Sequence, residues 1–429
     1  MKYFQFILVI ILGLFISCMG LDKTVATIQG EKIHLSDIYQ VFDETTFNAL
    51  APAKKTAFVR KYAVVKYISS YEQQDLTGID FNIAEEKNKL KHDLIIQEIE
   101  KYMIDNLHFS DSTLKFVGDA LNVDVFVKTL TVAHKFSFGQ GNERTKEEAY
   151  NRAKIIYNRI FSGELTYEEA LSIYGESPVS KIKGNEMGQI YFGLMPKNFN
   201  DAVWSSPEGK LHEPLESPMG FHVVIVDRKI PKYGKDKKEF DRDELKEELE
   251  KGKYGYQEES FSIFVDTLYQ KYIVLLNQVE LYNMWDSVQE IEGVHSMSGI
   301  PVNRLREVDY NNVIGRIGGK EITSDWIVNE ANNFSLYKNV SINSGFSFNK
   351  FISDVIAKHL LVQWYEDNKK LFPGVDTTIK RKIINRIYTR YLDKMQELNP
   401  DLTRDIILNR FMLKHGIVVN SALFAENAN

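Results

Sequence analysis

Residues 131–138 read TVAHKFSF, and the histidine in that run decides how the middle of the chain is understood. Val132, Phe136 and Phe138 are apolar and β-prone, so the stretch is predicted as a buried strand. His134 is then either a core side chain with a hydrogen-bond partner or part of a site. Further along, GFHVVIVD (220–227) reads as a second apolar strand, with His222 near its start.

The sequence between the two histidines is marked by helix signals. Thr145 with Glu148, and Thr166 with Glu169, each form a capping box, and Gly163 and Gly175 supply the stops. Ala149, Ala153, Ile156, Tyr157 and Ile160 recur along one helical face. A polar loop (SPVSKIKGNEMG, 177–188), a short helix around PKNFNDAVW (196–204) and a turn at Gly209 follow. The predicted order is strand, helix, helix, loop, helix, strand.

This segment resembles the parvulin family of peptidyl-prolyl isomerases. The resemblance rests on Ala133-His134, on A-x-x-x-Y from Ala170 to Tyr174, and on G-x-x-M-G ending at Gly188. It continues through M-x-x-x-F (Met195, Phe199), F-x-x-A-V from Phe199 to Val203, G-K-L-x-E-P-L at 209–215 and G-F-H at 220–222. The motifs span about 100 residues in family order. The resemblance implies that His134 and His222 lie in the sheet floor beneath a substrate proline. It implies that Met187, Met195 and Phe199 line the proline pocket. The position after the second helix, Asp or Cys in active parvulins, aligns with Ser177. Gly184-Asn185 stands where the family has paired glycines.

Such a reaction needs no metal or cofactor. Rotation about an X–Pro bond crosses a barrier of roughly 20 kcal/mol and breaks amide resonance. A site that binds the twisted amide better than either planar form suffices. Two histidines are also zinc-ligand types, but no carboxylate or third histidine accompanies them at ligand spacing.

The flanks carry an internal repeat. TVATIQGEKIHLSDI (24–38) aligns without gaps with VIGRIGGKEITSDWI (313–327), pairing Ile28 with Ile317, Gly30 with Gly319, Ile33 with Ile322 and Ile38 with Ile327. Each copy precedes helical patterns, at 57–71 and 351–372. KYGKDKKEFDRDELKEELEKGK (232–253) reads as a solvated helix or linker, and 260–285 as a helix with aromatic and aliphatic positions. DIILNRFMLKHGIVVN (405–420) reads as a helix closing at Gly416 before a short strand. With these flanks the chain is similar to exported foldases of the SurA, PrsA and PpiD type.

The first twenty residues, MKYFQFILVIILGLFISCMG, have a signal-peptide layout. Phe15-Ile16-Ser17-Cys18 resembles a bacterial lipobox, which implies lipidation at Cys18; an ordinary signal peptide with an incidental cysteine is the other reading. Cys18 is the single cysteine of the chain, so once lipidated it leaves no thiol for catalysis or metal binding. Net charge is −6 and no basic block stands out, which sets nucleic acid aside as a partner.

The expected fold class is α+β, a central parvulin-like domain (a small antiparallel sheet with surrounding helices) flanked by mainly helical chaperone-like domains. The expected divisions are a lipoprotein signal peptide (1–18), an N-terminal helical chaperone-like domain (19–127), the isomerase domain (128–230), a helical linker or chaperone segment (231–300) and a C-terminal helical domain (301–429). The functional expectation is a prolyl isomerase and chaperone of the bacterial cell envelope, lipid-anchored on the periplasmic face. Its partners are unfolded or partly folded exported proteins with X–Pro bonds, and the membrane through the lipid. The competing expectation is a non-catalytic chaperone that uses a degenerate parvulin domain to bind peptides.

Overall fold

Gln29 and Gly30 both have positive φ, +49° and +88°, and so do Gly318 and Gly319, +55° and +85°. Two consecutive residues of that kind make the tight hairpin turn whose twist matches its flanking strands. Accordingly Thr24–Ile28 pairs with Glu31–His34, and Gly315–Ile317 with Lys320–Ile322. Each hairpin runs straight into a helix, Leu35–Tyr39 or Ser324–Ala331. The repeat in the sequence is therefore a repeat of strand, turn, strand and helix.

The computed structural model of the protein describes residues 22–70, 83–139, 143–176, 186–234, 237–308, 310 and 312–425, without the side chains of residues 83, 186 and 187. Two compact units emerge, one from the residues up to Ile95 together with those from Glu366 on, the other from Ile96–Tyr365.

In the first unit the hairpin gains a third strand, Ile417–Val419, giving the pairs Ile28 with Ile417 and Ala26 with Val419. Its core joins Val25, Ile33, Ile38, Phe47, Val59 and Val64 to Ile387 and Phe411. Phe42, Phe47 and Phe58 meet edge to face, the geometry their ring quadrupoles favour.

In the second unit the other hairpin gains a third strand in the same manner, Val274–Leu276, with Ile317 opposite Val274 and Gly315 opposite Leu276. The match extends to single hydrogen bonds. Asn420 donates its N–H to Val25 O at 2.9 Å, and Asn277 donates to Ile314 O at 2.9 Å. Gly416 and Ile273, which precede the two added strands, both have positive φ, +60° and +52°. This third strand splits the helix expected over 260–285 into Tyr256–Lys271 and Gln278–Val288.

The second unit also holds a four-stranded antiparallel sheet in the order Glu186–Ile190, Val123–Val132, Gly220–Pro231, Leu215–Ser217. The helices Lys146–Phe161 and Tyr167–Tyr174 form with both predicted capping boxes. They cover the face that carries Leu130, Val132, Phe221 and Val223. The helix Lys197–Ser205 covers the other face, placing Phe199 and Val203 on Val125, Val127, Val224 and Val226. The small sheet with its helices, and the helical regions on either side, give the expected α+β architecture.

Three local expectations change. The strand predicted over 131–138 stops at Val132. His134 donates its N–H to Ser137 Oγ at 2.9 Å, and Ser137 donates back to His134 O at 2.9 Å, which closes a turn. Phe138 is 60% exposed as a result. The strands Glu186–Ile190 and Leu215–Ser217 were not anticipated, being short and bounded by loop-type residues.

Candidate active site

Strand alternation selects the residues that meet at the site. Thr129 and Thr131 alternate with Leu130 and Val132, so they face the opposite side of the sheet. His222 lies directly across from Thr131, on the side of Val224 and Val226. The ring of His222 is thereby enclosed, with no exposed surface. Its Nδ1 lies 3.0 Å from Thr131 Oγ1 and 3.2 Å from Thr129 Oγ1. Its Nε2 lies 2.6 Å from Ser217 Oγ. Phe199 sits edge-on to the ring at 5.6 Å. Burial alone pushes the His222 pKa from 6.5 to about 4, so the imidazole is neutral at neutral pH, donating from one ring nitrogen and accepting at the other, with hydroxyl partners on both sides.

His134 occupies the turn past the strand end, 8% exposed. Its Nδ1 accepts the N–H of Phe136 at 3.2 Å. The neutral ring therefore carries its proton on Nε2. Burial lowers its pKa first, Lys146 lowers it further, and Glu216 opposes both. A cleft of about 500 Å³ opens over His134 and Ser217, with Lys146, Pro196 and Glu216 at its edge. Lys146 and Glu216 are themselves paired at 2.6 Å.

The structure thus brings His134 and Ser217 to one cleft and sets His222 one layer below, linked through Ser217. Among the described residues the two histidines share no hydrogen bond. Phe199 is wholly buried, and Met195 packs half-buried on the same apolar cluster. Ser177 and Cys18 lie outside the described residues, and of Met187 only the backbone is described. No group of three or more potential metal ligands occurs among the described residues.

Sequence reasoning missed Ser217, Thr129 and Thr131. The signal for the threonines was their alternation with Leu130 and Val132. Ser217 gave a fainter one, as the hydroxyl just before the turn that returns the chain into Gly220-Phe221-His222. Gly220 makes that turn possible. Its φ is +120°, and a Cβ there would sit 2.3 Å from Val132 O.

The profile of the rotamase family, the PPIC-type PPIASE domain, matches residues 134–228, from the first histidine to the end of the second histidine's strand.

Residues 134–228 are a parvulin-type isomerase domain.

Similarity to curated proteins reaches beyond this parvulin domain. Foldase protein PrsA 4 of Bacillus cereus is 30% identical over 178 residues, 41% of this chain and 59% of that protein. Chaperone SurA of Pseudomonas fluorescens is 32% identical over 83 residues, 19% of each chain. The chain thus spans less than two-thirds of the length of these relatives. A crystal structure of peptidylprolyl isomerase (PrsA) from Bacillus cereus aligns with 58% of this chain and 92% of its own, at 19% identity and TM-score 0.25.

Proposed function

We propose that the chain is an exported foldase that catalyses prolyl cis–trans isomerisation and holds unfolded clients through its helical regions. The observation that carries this reading is the chain of neutral hydrogen-bonding groups under the cleft. His134 offers an Nε2–H, and Ser217, His222 and the two threonines form a polar floor in an otherwise apolar sheet.

The physical role of such a floor follows from the reaction. As the X–Pro amide twists, its carbonyl turns and its nitrogen becomes pyramidal and basic. Ser217 and the neutral His134 ring, which line the cleft, can donate to either atom while His222 and the threonines below them adjust their hydrogen bonds, without a full charge being created or buried. No covalent step is needed. The relatives named foldase PrsA and chaperone SurA support a combined isomerase and chaperone role.

The membrane tether belongs to the same proposal. A lipid on Cys18 would hold the chain at the periplasmic face of the envelope, where exported proteins with X–Pro bonds fold. Cys18→Ser is expected to move the protein from the membrane to the soluble fraction of cells.

The test of activity is a protease-free assay, following refolding of a proline-limited protein with the full chain, its His222→Ala variant and its His134→Ala variant. Faster refolding that both variants reduce supports the isomerase. One observation favours the second reading, a chaperone without catalysis: His222 and Phe199 have no exposed surface. Suppressed client aggregation with no faster refolding would establish that reading instead.

A further inference from the structure

The cleft over His134 is not walled by the isomerase domain alone. Tyr282, Phe346, Asn349 and Lys350 also line it, and they come from the helices Gln278–Val288 and Gly345–Asp367. These helices are locked onto the turn that carries His134. Tyr282 stacks on Phe136 with centroids 4.8 Å apart and accepts the N–H of Lys146 at 2.9 Å. Phe346 meets Phe138 edge-on at 5.3 Å, and Asp286 binds Lys135 at 2.6 Å. The fit leaves no slack at Gly345, where a Cβ would lie 2.4 Å from Lys135 O.

The charge of the cleft is uneven. Among its lining residues the ionised groups are Lys146, Glu216 and Lys350, because the His134 ring is neutral. Lys146 and Glu216 satisfy each other at 2.6 Å. Lys350 is exposed and has no carboxylate within ion-pair distance among the described residues, so the cleft keeps one uncompensated cation. Next to it, Phe346 gives an apolar surface, and Asn198 and Asn349 give amides suited to an extended backbone.

We propose that this second wall is part of the substrate site: Lys350 is a specificity-determining residue that favours proline segments with a carboxylate side chain beside the proline, and Phe346 is an apolar contact that holds such segments whatever their charge. The proposal rests on the isomerase reading for its kinetic form. Its binding form stands apart from that reading, since a non-catalytic cleft would select peptides by the same charge.

The experiment compares two labelled proline peptides that differ only in Glu or Lys next to the proline. The full chain is used as wild type, Lys350→Glu, Phe346→Ala and Lys115→Glu. Lys115 is an exposed helix residue outside the cleft, and its reversal controls for net charge. Isomerisation is read by exchange NMR, and affinity by fluorescence anisotropy of the same peptides.

The wild type should bind the Glu peptide more tightly, and Lys350→Glu should shift the Glu-to-Lys ratio by about fivefold toward Lys, the scale of an exposed ion pair made repulsive. In the kinetic form the shift falls on KM with kcat near its original value. Phe346→Ala should weaken both peptides without moving the ratio, and Lys115→Glu should match the wild type. Equal ratios for Lys350→Glu and Lys115→Glu would overturn the proposal. So would faster turnover of both peptides by Lys350→Glu and Phe346→Ala, which would make the wall a cover that excludes substrate. A wild type that binds with the expected ratio but accelerates neither peptide would overturn the isomerase reading and leave the selective cleft in place.

Discussion

Ser217 Oγ lies 2.6 Å from Nε2 of His222, and the same oxygen accepts the N–H of Met219 at 3.0 Å. One hydroxyl therefore joins the cleft, the buried histidine and the turn that shapes the strand entry. Ser217→Ala leaves Nε2 unsatisfied in a ring with no exposed surface. The expected cost is about 1–3 kcal/mol in urea unfolding, with slower proline isomerisation. Ser217→Thr keeps the hydroxyl and should recover most of both. An alanine variant as stable and active as the wild type would show that the hydroxyl does not matter.

The pH dependence follows from His222. Its folded pKa is about 4 against 6.5 for the free side chain. Above 6.5 neither state binds the proton and the contribution to stability is complete. As pH falls from 6.5 to 4, the unfolded chain takes up a proton that the folded chain refuses. That interval removes about 3 kcal/mol, and below it the loss is constant. His134 and His212 shift in the same direction and steepen the slope. Denaturant unfolding between pH 7 and 4 should show this slope, and His222→Asn should flatten it. An unchanged slope in the variant would assign the effect elsewhere.

Among the described glycines, Gly220 leaves a Cβ the least room. A Cβ there meets Val132 O at 2.3 Å, and φ is +120°. Gly220→Ala should destabilise the isomerase sheet by more than about 1 kcal/mol and reduce activity through the displaced His222 strand. Gly209 has positive φ but open space around it, so Gly209→Ala should cost less. Thermal unfolding of the two variants side by side checks the order.

The two added strands answer to the same hairpin chemistry. Replacing Ile417-Val418-Val419 by Val-Leu-Leu, as found at 274–276, conserves apolar character at the paired positions. The change should cost less than about 1.5 kcal/mol. Ile417→Asp places a carboxylate at a buried position opposite Ile28 and should cost several times more. Equal losses for the two variants would mean that strand pairing contributes little there.

Much of the site was legible in the chain because its signals are local or periodic. Thr145 with Glu148 and Thr166 with Glu169 act across one helical turn, and both boxes form as read. His222 was placed in its strand by the apolar run around it. The strand assigned to His134 failed because Ser137 ties that backbone into a turn, a three-residue competition that β-propensity does not register.

The sequence by itself determined the hairpin turns at Gly30 and Gly319, the capped helices and the family motifs from His134 to His222, all set by interactions within a few residues. The tertiary structure decided what these elements meet. It paired Ile28 with Ile417 and Ile317 with Val274, set Thr129, Thr131 and Ser217 around His222, and brought Lys350 to the cleft of His134. Such partners are chosen by burial and by completing backbone hydrogen bonds. Neither leaves a mark in sequence spacing when the residues involved are tens or hundreds of positions apart.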